Sequence, residues 1–277
     1  MSAPRIPTTS FEALPAIPLL GMETRPADVG TSETLSFVLE SVSAPPRHLL
    51  EIGCGDGELA ARLLGLGYQI VALDSDATAV RAARARGVDA RVACWPDFEG
   101  GTYHALLFTR SLHHLRPLSP AIARAAQLLD PDGVVLVEDF AFQETNESTV
   151  LWFQGLLRGL QAAGAIEPGA ECFARSVMES EEPLATWHRD HEHELHAADT
   201  MRWALAEHFD LIVEHECPYL YRYVMPLLSP NEAGCRVARE VLAQEREMAA
   251  RGVIAHVGRR LIGRSPIVET TSRAPIS

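Results

Sequence analysis

A strand-like run, His48–Ile52, opens directly onto Gly53-Cys-Gly55-Asp-Gly57, and Glu58–Leu66 then reads as a helix with Leu59, Leu63 and Leu66 on one face. Glycines there allow a tight turn and bring a ligand close to the backbone at the carboxyl edge of a first strand, so the loop reads as a nucleotide-type site. A pyrophosphate fingerprint would place its third glycine at position 58, where the sequence has Glu58, an anion near the helix start. Carboxylates flank the loop instead. Glu51 precedes it and favours a nearby cation. Asp74 closes the second strand, 23 residues after Glu51, where a carboxylate accepts hydrogen bonds from ribose hydroxyls.

Proton-handling groups gather at two further places. His113 and His114 follow the fourth strand, and Glu138 and Asp139 end the fifth beside it, so a base can stand at the sheet edge. Four of the eleven histidines lie in the stretch 187–196: His188, His191, His193 and His196. The pattern is not H-E-x-x-H, and on one helix its two i,i+3 pairs are turned ~140° apart. The stretch is expected to be a polar lid with His191 or His193 facing substrate, and no metal site is expected. The five cysteines, 54, 94, 172, 217 and 235, contain no C-x-x-C pair, so reduced thiols fit better than a disulfide framework or thiolate zinc. Aromatic residues Trp152, Phe153, Trp187, Trp203, Tyr219, Tyr221 and Tyr223 cluster in the second half and are candidates to wall a substrate cavity.

Composition removes several classes of function. All 24 basic residues of the 277 are arginine, which excludes Schiff-base chemistry and a P-loop, both of which need a lysine. A net charge of -13 opposes attraction to nucleic acid or anionic lipid, so neither is expected as a partner. No apolar run reaches the ~18–20 residues of a spanning helix, and no leader pattern is seen, so a cytoplasmic location is expected.

The elements that must position these groups alternate as short apolar runs and amphipathic segments, the pattern of βαβ units around a parallel sheet. Strands are expected at 48–52, 69–73, 90–93, 104–109 and 134–138, with helices between them. Thr31 and Ser32 are expected to cap a first helix, Asp76 one after the second strand, and Ser119 with Pro120 the one after the fourth. Beyond residue 140, helices are expected at 147–163, 199–208 and 232–251, with strand material at 209–215, 219–224 and 253–261. The resulting division is an N-terminal arm (1–30), one α/β domain (31–264) carrying a helical cover at about 141–208, and a frayed tail (265–277).

Taken in order, the Glu51–Gly57 loop, Asp74, the Thr109-Arg-Ser-Leu-His-His-Leu115 stretch and the Leu129-Asp-Pro-Asp-Gly turn resemble class I S-adenosylmethionine-dependent methyltransferases over roughly residues 47–140. S-adenosylmethionine has a ribose, a sulfonium and an ammonium but no phosphate, which suits a glycine loop flanked by carboxylates. The resemblance implies a doubly wound, mostly parallel seven-stranded sheet of Rossmann-like type in the order 3-2-1-4-5-7-6. It implies that Glu51, Gly53, Gly55 and Gly57 cradle the methionyl and ribose part and that Asp74 holds the ribose, with Ser75 and Asp76 beside the adenosine. Thr109 belongs to the motif after the fourth strand. Cys94 stands where the family usually has an Asp near adenine, and Trp95 or Asp97 is expected to substitute. Methyl transfer to a small organic molecule follows, oxygen favoured over nitrogen or carbon because His113, His114, His191, His193 and Asp139 can supply a base. A non-catalytic adenosyl-ligand module and an NAD(P) oxidoreductase, the latter opposed by Glu58, are the alternatives. The sequence leaves the oligomeric state open.

Overall fold

The structure is a computed structural model, and it describes residues 23–167, 169, 172–191 and 195–266. Seven strands form one sheet: β1 (His48–Ile52), β2 (Gln69–Asp74), β3 (Asp89–Val92), β4 (Tyr103–Thr109), β5 (Leu129–Phe140), β6 (Asp210–Cys217) and β7 (Gly258–Arg264). Their order is β3-β2-β1-β4-β5-β7-β6, as the resemblance implied. The first five run parallel, and β7 lies antiparallel between β5 and β6.

Alternation along the central strands sends successive side chains to opposite faces, which gives the sheet two apolar layers. Leu49, Ala105, Leu107 and Leu136 meet α1 (Pro26–Ser41), α2 (Glu58–Gly65) and α3 (Ala77–Ala85) on one face. Leu50, Leu106, Phe108 and Val137 meet α4 (Leu118–Leu128) and α8 (Ala198–Ala206) on the other. The expected cover at 141–208 is therefore divided. Its last helix, α8, buries Met201 and Leu205 against the sheet layer. Only α5 (Glu147–Ala162), α6 (Phe173–Glu179) and α7 (Pro183–His191) form a separate third cluster over the end of β5, completed by residues 219–228 and by α10 (Glu232–Ala250).

Five boundaries differ most from the sequence reading. Strand β5 spans Leu129–Phe140 rather than 134–138, because Leu129 already pairs with Tyr103 ahead of a register shift and the strand runs on to pair Phe140 with Gly258. Helix α1 starts at Pro26, not at Thr31 or Ser32, because proline suits the first helical position and the Asp28 carboxylate accepts the N–H groups of Thr24 (2.9 Å) and Arg25 (2.8 Å). Helix α4 starts at Leu118 after Pro117, so Pro120 sits within the first turn, where its missing N–H has no helical partner to lose. Residues 219–224 are not a strand: Glu245 Oε1 accepts the N–H groups of Tyr219 (2.7 Å) and Leu220 (2.9 Å), and Oε2 accepts that of Tyr221 (2.9 Å). With those donors withdrawn from any ladder, the chain curls into the short helix α9 (Tyr221–Val224). The last strand begins only at Gly258, because the preceding residues close the end of α10 (Val253 N–H to Met248 O, 3.0 Å). Residues 1–22 of the expected arm and 267–277 of the expected tail lie outside the described residues.

Candidate active site

The carboxyl ends of β1, β2, β4 and β5 converge on one edge, and the glycine loop crosses it. Gly53, Gly55 and Gly57 all have left-handed backbones, with φ of 79°, 54° and 73°. Two of them are packed shut. A Cβ on Gly53 would lie 2.5 Å from Ser111 Cβ, and one on Gly57 would lie 2.5 Å from Ala83 Cβ. Gly55 faces open space. Its N–H donates to Asp74 Oδ2 at 2.8 Å, while Oδ1 accepts from Asp76 N–H at 2.9 Å, so the loop and the end of β2 are tied together with lone pairs left on both oxygens.

Glu51 is buried beneath this loop. One oxygen accepts the Thr109 hydroxyl at 3.1 Å, and the other, Oε2, is buried with no partner. Burial pushes its carboxyl up to about 7. Thr109 is itself buried, so its role is to hold Glu51 rather than to face open space. An unsatisfied carboxylate oxygen next to a cradle with room on one side fits a ligand that brings a cation.

The stretches after β2 and β3 are plainer. Ser75 and Asp97 are exposed, and Asp76 caps α3 through Thr78 N–H at 2.7 Å. Trp95 is a core residue: its indole N–H donates to Ala121 O at 3.0 Å, and its ring meets Phe108 edge-on at 6.1 Å. Ala93 N–H donates to Asp74 O at 3.0 Å, so the stretch leading to the exposed Cys94 runs beside Asp74.

On the other side of the loop, His113 and Asp139 form a pair. The His113 ring nitrogen Nδ1 contacts Asp139 Oδ1, and the His113 backbone N–H donates to Oδ2 at 3.1 Å. Phe140 N–H also donates to Oδ1, at 2.8 Å, which fixes the carboxylate. With Nδ1 held by a carboxylate, Nε2 is the ring atom left to exchange a proton. His114 is exposed beside it, ring centroids 4.0 Å apart. His196 closes over this turn, its N–H on His113 O and its Nε2 on Leu115 O, both at 2.9 Å.

Glu138 fails as a base. Its carboxylate is buried among Arg222 (2.6 Å), Arg260 (2.6 Å) and Arg110 (3.6 Å) and accepts the Thr34 hydroxyl at 2.7 Å. Burial opposes its charge, but the three guanidiniums outweigh that and hold the carboxyl below its ordinary value. It clamps α1, β7 and α9 to the end of β5. Glu58, the anion at the helix start, is likewise balanced, by Arg25 (3.5 Å), Arg62 (3.1 Å) and Arg86 (2.6 Å).

The histidine-rich stretch splits. His191 turns inward, Nδ1 on Trp187 O (2.8 Å) and Nε2 on Tyr223 Oη (3.1 Å), among Phe140, Phe173 and Trp187. Burial lowers its pKa. His193 lies outside the described residues. Among the described residues no cluster of three or more His, Cys, Asp or Glu stands ready to hold a metal. Of the aromatic candidates, Phe153, Trp187, Tyr219 and Tyr221 join this third cluster, and Trp152 and Tyr223 pack against it. Trp203 instead stands on the outer face of α8, 62% exposed, because its helix packs on the sheet through Met201 and Leu205.

Fold and site together define a class I S-adenosylmethionine-dependent methyltransferase. A family model described as Methyltransferase domain matches residues 30–216, and the chain belongs to that family. This sets aside the nicotinamide oxidoreductase. An uncharacterized methyltransferase of Mycobacterium bovis is 31% identical over 99 residues, 33% of this chain and 50% of the relative, so the chain spans half the length of that relative. A ubiquinone biosynthesis O-methyltransferase of Xanthomonas campestris is 28% identical over 171 residues, 58% of this chain and 68% of its own. The N-methyltransferase NodS from Bradyrhizobium japonicum, solved with S-adenosyl-L-homocysteine, shares the fold with a TM-score of 0.50 at 14% identity, covering 89% of this chain and 91% of that one. No helix among the described residues is long and apolar enough to cross a membrane.

Proposed function

We propose that this chain transfers a methyl group from S-adenosylmethionine to an oxygen atom of a small organic acceptor. The observation that carries the choice of oxygen is the His113–Asp139 pair at the sheet edge. A hydroxyl acceptor must lose its proton as the new bond forms, and an imidazole oriented by a carboxylate takes that proton at Nε2. The Xanthomonas relative, an O-methyltransferase by name, agrees with this reading. A small acceptor is favoured over nucleic acid by the net charge of -13.

The cofactor supplies a methyl group already activated on a sulfonium. The protein's work is then alignment and proton removal. Gly53, Gly55 and Gly57 shape the loop, Asp74 holds the ribose and Glu51 offers its unpaired oxygen to the cationic end. His113 receives the acceptor's proton, and Asp139 fixes the ring. His191, its ring hydrogen bonds both engaged, packs the wall of the acceptor side and is not the base.

The test combines product identification with two substitutions. Methyl-labelled cofactor incubated with a panel of hydroxylated metabolites should label an oxygen. His113→Ala should lower turnover by roughly 10²–10⁴-fold with S-adenosylhomocysteine affinity held within about twofold, and Asp139→Asn should follow it in direction. Full turnover in His113→Ala would remove the base from the proposal, and labelled nitrogen or carbon would correct the acceptor atom.

A further inference from the structure

Strand β5 ends at Phe140, and the chain then makes one 3₁₀ turn through Phe142, Gln143 and Glu144. That turn is pinned. Ala141 N–H donates to Val257 O at 2.8 Å, Glu144 N–H to Ala141 O at 3.0 Å and the Trp187 indole N–H to Phe142 O at 3.0 Å. At three residues per turn the side chains leave in three directions. Phe142 points into the aromatic cluster, its ring within 21° of parallel to that of His191 and 6.1 Å away, and Glu144 reaches Arg259 at 3.4 Å. Gln143 takes the remaining direction, four residues beyond Asp139 at the carboxyl edge of the sheet.

Gln143 is half-buried as a residue, yet its amide nitrogen and oxygen are both buried and neither has a hydrogen-bond partner. The head of the side chain therefore turns inward while the stem stays near the surface. A solvated glutamine does the reverse. Burying an amide with its donors and its acceptor all unused costs folding free energy, and a pinned backbone rules out looseness as the reason. Like Oε2 of Glu51, the amide is hydrogen-bonding capacity that the fold itself leaves unspent.

We infer that the Gln143 amide recognises a carboxamide or lactam group on the acceptor, the two amides pairing head to head. The inference rests on the proposed methyl transfer to an acceptor oxygen beside His113. A primary amide presents N–H donors and a C=O acceptor side by side, and the group that satisfies both at once presents the same pair in reverse. A carboxylate offers acceptors only and leaves Oε1 unpaired. An ammonium offers donors only and leaves Nε2 unpaired. A site whose buried polar groups are satisfied by one ligand rejects analogues that leave them bare.

Two measurements test this. In the first, methyl-labelled cofactor is offered with 3,4-dihydroxybenzamide, 3,4-dihydroxybenzoate and its methyl ester, and with the same triplet of forms for hydroxylated aliphatic acids. The wild-type protein should label the hydroxyl oxygen of the carboxamides with kcat/KM about 10–100-fold above the other two forms of the same skeleton. Gln143→Met, similar in length and without a polar head, should lose that preference through a raised KM for the carboxamide, with S-adenosylhomocysteine affinity held within about twofold. The second is thermal unfolding of the free proteins. Gln143→Met should melt at or above the wild-type temperature, by up to about 4 °C, because it removes buried polar atoms that nothing satisfies. Equal use of the three forms by the wild-type protein, a preference for the carboxylate or the ester, or no labelled carboxamide would overturn the inference. So would a Gln143→Met protein that keeps the wild-type preference or melts well below wild type, the mark of an amide that the fold itself needs. Failure of the underlying reading shows separately, as full turnover in His113→Ala or as label on nitrogen or carbon.

Discussion

Replacing Glu51 by glutamine tests the cofactor site and the stability of the fold at once. In the free protein the Glu51 carboxyl is pushed from its ordinary value near 4.5 up to about 7 by burial. Because the folded state raises it, the folded protein favours the protonated form. That contribution is fully present below about pH 4.5, declines as pH rises and is gone above about 7, a loss on the order of 3 kcal/mol. The glutamine side chain keeps an oxygen for the Thr109 hydroxyl and cannot ionise. Urea titrations should therefore find Glu51→Gln more stable than wild type at pH 8, by up to about 3 kcal/mol, and little different at pH 4.5. Binding should move the opposite way. A cation meeting Oε2 needs the ionised carboxylate, so wild-type affinity for S-adenosylhomocysteine should rise about tenfold from pH 6 to pH 8, with uptake of the ligand releasing a proton below pH 7. Glu51→Gln should be flat over that range and about 10–100-fold weaker at pH 8. Calorimetry in buffers of different ionisation enthalpy reads both the affinity and the released proton. A wild-type affinity independent of pH, or a Glu51→Gln protein that binds as tightly as wild type, would refute the reasoning that the unpaired oxygen waits for a cation.

The remaining predictions separate binding from folding. Gly55→Ala, whose methyl meets nothing within 4 Å, should cost only about 1–2 kcal/mol, the strain of an alanine at its left-handed φ, and weaken cofactor binding, whereas Gly57→Ala, which adds to the same strain a Cβ 2.5 Å from that of Ala83, should lower the melting temperature much further; differential scanning calorimetry and ligand titration on both variants check the contrast. Glu138→Gln should destabilise by about 3–5 kcal/mol at pH 7, because it leaves buried guanidiniums without their carboxylate. As the folded state lowers the carboxyl of Glu138, its contribution is present above the ordinary glutamate range and is lost as pH falls, so wild type and variant should converge in acid urea titrations. His191→Phe should alter the saturation curve for the acceptor with cofactor affinity unchanged; steady-state kinetics with each substrate varied in turn distinguishes the two.

Much of the site was written in local sequence. The loop from Glu51 to Gly57 and the acid ending β2 sit at the junctions of period-two strands with period-3.6 helices, and those periods alone bring both to one edge of a parallel sheet. That is why the position of the glycine loop and Asp74 at one strand edge was legible without coordinates, while the strand order came from the resemblance to methyltransferases. The pairing of His113 with Asp139 was half visible: adjacent parallel strands guarantee that their ends are neighbours, but not which histidine turns inward.

The rest depended on partners distant in the chain. Glu138 and Asp139 look alike in sequence, one residue apart, yet alternation along β5 points them to opposite faces. Glu138 meets Arg222 and Arg260, 84 and 122 residues away, and becomes a clamp, while Asp139 meets His113 and fixes its ring. Tyr219, Tyr221 and Tyr223 alternate as a strand would, and only the Glu245 carboxylate, reaching their backbone from α10, turns them into a helical corner. Local pattern decides which backbone form a segment takes and which edge it reaches. Whether a charged side chain there is neutralised, left unpaired or aimed at a ligand is decided by Coulomb partners and burial that exist only once the chain has closed.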